Sequence, residues 1–208
     1  MPDAQDDPQV GDHYFTARPA SPDERREITV RLADRDVTLE TARGVFSPGR
    51  LDQGTRVLLR SAPQPPQHGD LLDLGCGWGP LALTLALESP DARVWAVDVN
   101  ERALDLVRRN AERLHLGNVR AVAPDDVPEV ALAALWSNPP IRVGKSALHT
   151  MLAHWLPRLA PGAQGHLVVQ RNLGADSLEH WLAQTLPAAT VTCTATSKGF
   201  RLLRIQQP

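Results

Sequence analysis

The chain has 208 residues, room for one α/β domain with an appendage and a sizeable buried core. Its 24 acidic and 22 basic residues leave a formal charge of −2, which excludes a global attraction for nucleic acid, so RNA contact would need a local patch. Cys76 and Cys193 stand far apart without Cys/His clustering, and no apolar run resembles a signal peptide or a membrane span; the expectation is a cytoplasmic protein with reduced thiols and neither metal site nor disulfide.

Residues 1–24 are polar and Pro-rich without periodicity, which predicts a mobile tail in which His13, Tyr14 and Phe15 are the residues able to dock. In 25–62, Ile28, Val30 and Leu32 alternate with polar residues before Ala33-Asp34-Arg35-Asp36, and Val37 and Leu39 alternate after it. That pattern predicts a β-hairpin. A Gly/Pro loop follows, in which Phe46 and Arg50 could close over a ligand, and then a short helix capped by Asp52. From residue 63 strand and helix patterns alternate. Strands are expected near 70–74, 93–98, 118–122, 132–137, 164–170, 189–195 and 200–206, with helices near 79–88, 101–115, 146–158 and 175–185. The implied fold is Rossmann-like: seven strands, mostly parallel, with an antiparallel edge strand and helices on both faces. Ligands of such sheets sit at the carboxyl ends of the strands.

The first strand of this unit, Leu71-Leu-Asp73-Leu, runs into Gly75-Cys76-Gly77-Trp78-Gly79. Alternate glycines let backbone approach a ligand closely, and a helix N-terminus follows. The spacing is not the G-x-G-x-x-G of dinucleotide binders. Asp98 ends the next strand, beside Val99, where an acid can accept from a ribose diol. Asp125 and Asp126 follow the third strand, where either could face an adenine amine. The fourth strand ends in Asn138-Pro139-Pro140-Ile141. An amide oxygen beside a proline carbonyl, on backbone stripped of two donors, forms a two-acceptor grip for an –NH2 group. An amine so held aims its lone pair at whatever lies opposite; a sulfonium methyl there would be set for in-line displacement.

These residues resemble, in this order, class I S-adenosylmethionine-dependent methyltransferases of the small-domain superfamily. Residues 27–206 are similar to the guanine-N2 methyltransferases of small-subunit ribosomal RNA, above all to their single-domain relatives. The likeness rests on GVFS (44–47), LDQGT (51–55), NPPIRVGK (138–145), QRNLGADSL (170–178) and KGFRLLRI (198–205). It implies that Asp73, Gly75, Cys76, Gly77 and Gly79 hold the methionine part of S-adenosylmethionine and that Asp98 holds the ribose. It further implies that Phe46, Val99, Asp125 or Asp126, and Asn138 border the cofactor, while Asn138 through Ile141 grip the target amine. Ile141 stands where those enzymes usually carry an aromatic residue. The larger of those enzymes also carry a duplicated domain that this chain lacks.

Only Lys145 and Lys198 are lysines, and each adjoins a segment of interest. With Arg142, Gln170, Arg171 and Arg201 they form the expected patch for RNA phosphates. His149 and His154, five apart, do not align on one helix face as metal ligands would, and the five tryptophans read as packing residues. The leading reading is methyl transfer to an exocyclic amine, guanine N2 in ribosomal RNA. The alternatives are a glutamine-amide methyltransferase, a nicotinamide-dependent oxidoreductase and a non-catalytic RNA-binding module. The sequence leaves the oligomeric state open.

Overall fold

A computed structural model describes residues 22–208, the side chain of Arg142 excepted. The tail expected over 1–24 falls outside the described residues apart from its last three. Of those, Asp23 pairs with Arg25 at 2.7 Å and Glu24 with Arg43 at 3.1 Å.

β1 (Arg25–Leu32) and β2 (Arg35–Ala42) form a two-stranded sheet in unbroken antiparallel register. Ala33 and Asp34 turn the chain with φ of 44° and 58°, the two left-handed residues that a tight hairpin of this twist requires. Leu32, Val37 and Leu39 are buried with Trp78, Leu83 and Leu106, so one hairpin face packs on the body. α1 (Gln53–Ser61) follows the loop, and Asp52 caps it, accepting from the N–H groups of Gly54 and Thr55.

The remaining strands are β3 (Asp70–Leu74), β4 (Arg93–Val97), β5 (Val119–Val122), β6 (Leu132–Ser137), β7 (Leu159–Gln170), β8 (Thr190–Ser197) and β9 (Phe200–Gln206). They form one sheet in the order β5-β4-β3-β6-β7-β9-β8. β5 through β7 pair in parallel. β9 runs against both β7 and β8, giving the expected antiparallel margin. The reversal lies one strand in from the edge, because Lys198 and Gly199 turn β8 directly back into β9 with φ of 50° and 81°. β7 starts five residues before the expected position. The strand runs through Pro161-Gly162 because the C-terminal residues pair there: Gln207 N–H donates to Ala163 O at 3.1 Å and Gly162 N–H to Pro208 O at 3.0 Å.

α2 (Pro80–Glu88) and α3 (Glu101–Arg113) share one sheet face with α1. α4 (Lys145–Trp155) and α5 (Ala175–Thr185) cover the other, in a core that includes Trp155, Leu178 and Leu182. The molecule is therefore four layers deep: hairpin, three helices, sheet, two helices. The strand order reverses at β3, so the carboxyl ends of β3 and β6 flank the crevice in which open α/β sheets bind ligands.

Candidate active site

The floor of the site is the glycine turn after β3. Gly75, Gly77 and Gly79 have φ of 77°, 53° and 99°, all left-handed and accessible to glycine at little cost. The turn is stitched to the tip of β4: Gly75 and Cys76 N–H donate to Val97 O at 2.8 and 3.0 Å, and Gly77 N–H donates to Asp98 Oδ2 at 2.9 Å. Gly79 caps α2 with its backbone alone, and a Cβ there would lie 3.0 Å from Val107 Cγ2.

Two acids lie under this turn. Asp73 is fully buried; its Oδ2 accepts from Ala82 N–H at 2.9 Å, and its Oδ1 has no hydrogen-bond partner. Burial pushes its carboxyl up to about 8, with the Ala82 N–H opposing and the charge of Asp98 adding. Asp98 accepts from Gly77 and, through Oδ1, from Asn100 N–H at 2.9 Å. Burial raises its carboxyl too, against the pull of those N–H groups. A positively charged ligand over this turn would counter the burial and favour the ionised form of both acids. The Cys76 thiol is buried and pushed well up, chiefly by that burial, which disqualifies it as a thiolate nucleophile.

The wall facing the turn is the expected grip. Ser137, last in β6, donates through Oγ to Leu74 O at 2.6 Å, locking the tips of β6 and β3 together. The Asn138 –NH2 group donates to Asp52 Oδ2 at 2.9 Å and to Thr55 Oγ1 at 3.1 Å. An ionised carboxylate only accepts, so the amide has one orientation and its Oδ1 is left for a ligand. A Cβ on Gly75 would meet Pro140 Cδ at 3.7 Å, which sets floor and wall in near contact. One expectation needs correction. Pro139 O was read as an acceptor with no competing N–H, yet Ile141 N–H donates to it at 2.9 Å. Pro140, at φ −74° and ψ 77°, closes an inverse γ-turn. One lone pair of that carbonyl remains.

Loop 43–50 covers the turn from the hairpin side. Trp78 Nε1 donates to Ser47 O at 3.3 Å and Asn100 Nδ2 to Gly44 O at 2.7 Å; Phe46 Cβ lies 3.9 Å from a Cβ built on Gly77. Phe46, Asp52, Thr55, Gly77, Trp78 and Asn138 line one small cleft. Val99 is half exposed beside Asp98. Asp125 and Asp126 are both exposed in a single turn of 3₁₀ helix after β5, and the geometry does not choose between them.

The expected RNA patch divides. Lys145, Arg171 and Lys198 are exposed, and Arg171 N–H donates to Gly199 O at 2.8 Å, joining the end of β7 beyond Gln170 to the β8–β9 turn. Arg201 is instead paired with Asp176 and Glu179 of α5. A cavity of about 240 Å³ beside the wall is lined by Ile141, Lys145, His149, Leu173 and Ser177. His149 stacks on Trp181 with ring centroids 3.7 Å apart. Trp78, Trp95, Trp136 and Trp155 are buried, as packing residues should be. Among the described residues no cluster of three or more His, Cys, Asp or Glu could hold a metal ion, and no helix is long and apolar enough to cross a membrane.

Asp52, Gly54 and Thr55 are site residues that the sequence reading missed. Asp52 read only as a helix cap, and its contact with Asn138 spans 86 positions. The available signal was the glycine in Asp52-Gln-Gly54-Thr55, placed where a helix gains nothing from glycine.

A Rossmann-like sheet whose glycine turn, paired acids and Asn-Pro-Pro wall meet at the strand ends defines the class I methyltransferase architecture. Comparison with known proteins agrees. The model of the methyltransferase small domain matches residues 36–204, and the chain belongs to that family. It is 31% identical to the Bacillus subtilis protein YbxB over 202 residues, 95% of this chain and all of YbxB. It is 35% identical over 158 residues to ribosomal RNA small subunit methyltransferase C of Pseudomonas aeruginosa strain LESB58, 72% of this chain and 47% of that protein. Among solved structures, the Thermus thermophilus 16S rRNA N2 G1207 methyltransferase (RsmC), in complex with AdoMet and guanosine, superposes with a TM-score of 0.75. Identity there is 24%, over 91% of this chain and 52% of that one. TYW2 of M. jannaschii in complex with AdoMet gives 0.57 at 15% identity, over 86% and 84%. The chain thus spans all of YbxB but only 30% to 58% of the ribosomal RNA enzymes.

Proposed function

We propose that this chain transfers a methyl group from S-adenosylmethionine to an exocyclic amine, with guanine N2 of ribosomal RNA as the target. The carrying observation is the fixed Asn138 amide, its oxygen free and its wall against the glycine turn. The bound cofactor supplies an electrophilic methyl on a positively charged sulfur. Asp98 would accept from the ribose hydroxyls, and Asp73 with the glycine turn would hold the methionine part. Asn138 Oδ1 and the second lone pair of Pro139 O would accept the two amine hydrogens, turning the nitrogen lone pair toward the turn. Rate then comes mainly from orientation and from acceptors that strengthen as the nitrogen gains positive charge. The relatives named as ribosomal RNA methyltransferases support the choice of RNA. Lys145, Arg171 and Lys198 would take its phosphates. Arg142, beside the wall in sequence, belongs to the same proposed set.

Tritiated methyl transfer into ribosomal RNA and small-subunit particles from cells lacking the gene tests this, with nuclease digestion locating the product at N2-methylguanosine. Label in protein would move the activity to a side-chain amide. Asn138→Ala should lower kcat by about 10²–10³-fold, the scale of removing one preorganised transition-state contact, and change cofactor Kd by no more than about threefold. Unchanged turnover in that variant would defeat the reading.

A further inference from the structure

One atom of Asp52 binds together two structures that the sequence sets far apart. Its Oδ2 accepts from Gly54 N–H at 2.7 Å, from Thr55 N–H at 3.2 Å and from Asn138 Nδ2 at 2.9 Å. Thr55 Oγ1 takes the other amide hydrogen of Asn138 at 3.1 Å, and Thr55 is almost fully buried. A Cβ at position 54 would lie 3.0 Å from Asp52 Oδ2, 3.0 Å from Phe200 Cε1 and 3.2 Å from Asn138 Oδ1. A side chain there would press on the cap, the aromatic ring and the amide, each of which would have to give by a few tenths of an ångström.

We infer that Asp52, Gly54 and Thr55 form a positioning device for the target-amine grip, acting through Asn138. This rests on the methyl-transfer reading above and extends it to residues outside the grip. An Asn amide can present either end to a ligand, and the wrong end would set –NH2 against an amine. Asp52 removes that choice, since its carboxylate oxygen only accepts and so demands the –NH2 end, and Thr55 Oγ1 then takes the second amide hydrogen. The Asp52 charge also polarises the amide from behind, making Oδ1 a stronger acceptor as the substrate nitrogen becomes positive. The N-terminus of α1 is thereby part of the specificity apparatus: it selects substrates that donate hydrogens and rejects those that accept them.

The test uses Asp52→Asn, Thr55→Val, Thr55→Ser, Asn138→Ala and the pair Asp52→Asn/Asn138→Ala, assayed by methyl transfer to ribosomal RNA from cells lacking the gene. Thr55→Val keeps the backbone N–H that Asp52 caps, so the fold is retained while one orienting acceptor goes. It should lower kcat by about tenfold, and Thr55→Ser should restore it to within about twofold, the scale of losing or keeping an orienting partner. Asp52→Asn should lower kcat by about 10–100-fold with KM for RNA and cofactor within about threefold. In the double variant kcat should fall no further than in Asn138→Ala, because residues acting through one group are not additive. Multiplying losses, or a weakened cofactor Kd in Asp52→Asn, would make Asp52 an independent cofactor contact and overturn the inference. Low turnover in Asn138→Ala with normal turnover in both Asp52→Asn and Thr55→Val overturns it alone. Normal turnover in Asn138→Ala overturns the amine grip and this device with it.

Discussion

Asp73 carries the sharpest single-residue consequence. Its carboxyl is near 3.8 unfolded and about 8 in the folded chain, raised by burial. The fold therefore favours its protonated form. The contribution to stability is full below the unfolded value and is lost as pH climbs toward about 8. Asp73→Asn removes this titration, so its melting temperature should gain on wild type between pH 5 and pH 8. Calorimetric scans of both proteins at the two pH values check this; an equal gap at each would refute it. At this scale the sequence showed which residues gather at the strand ends and not what they touch. The acids, the glycines and Asn138-Pro139 were legible because each sits at a strand end. The link from Asn138 to Asp52 was not, since a hydrogen bond across 86 positions leaves no periodic trace. Nor was the γ-turn that engages the Pro139 carbonyl, because it depends on the ψ of Pro140 rather than on residue type.

Among elements, the strands of the sheet were readable from short apolar runs bounded by Gly, Pro and Asp. Errors arose where pairing came from far along the chain, as when the C-terminal residues extend β7 through Pro161-Gly162. α4 stops at Trp155, three residues before the expected end, because Pro157 cannot donate and the chain tightens into a 3₁₀ turn over Leu156–Arg158. The same scale separates the basic residues. Lys145 at the head of α4 and Lys198 in the β8–β9 turn are exposed, whereas Arg201 belongs to α5 through Asp176 and Glu179. Lys145→Ala and Lys198→Ala should each weaken RNA binding and reduce the slope of log K against log salt by about 0.7–0.9. Arg201→Ala should leave that slope unchanged and lower stability by at most about 1 kcal/mol, as expected of a partly exposed pair. Filter binding at several salt concentrations, with melts of the three variants, distinguishes the two roles.

For the molecule as a whole, charge balance and layering set the limits. A net charge of −2 supplies no long-range pull, so the proposed affinity for RNA would have to be concentrated at the strand ends. The fold class and the crevice between β3 and β6 followed from the alternation of elements, while the stacking of the hairpin on α2 and α3 did not. That packing is fixed by Asn110, which is buried and exchanges hydrogen bonds with Glu40 at 2.7 and 2.9 Å. Acid tolerance is also a property of the assembled layers. His166 of β7 is buried, and that burial, aided by Arg204, pushes its imidazole down to about 4. Its ordinary value is near 6.5, so stability is lost as pH falls from there toward about 4. His166→Leu should therefore lose less melting temperature over that interval than wild type, and a parallel decline of the two curves would show the effect lies elsewhere. One last consequence follows from the three donors gathered on Asp52 Oδ2. The backbone protons of Gly54 and Thr55 share an oxygen with the amide proposed to meet the substrate. Their resonances in a nitrogen-15 correlation spectrum should shift when the target nucleoside docks, giving this enzyme a native spectroscopic reporter with no foreign label near its chemistry.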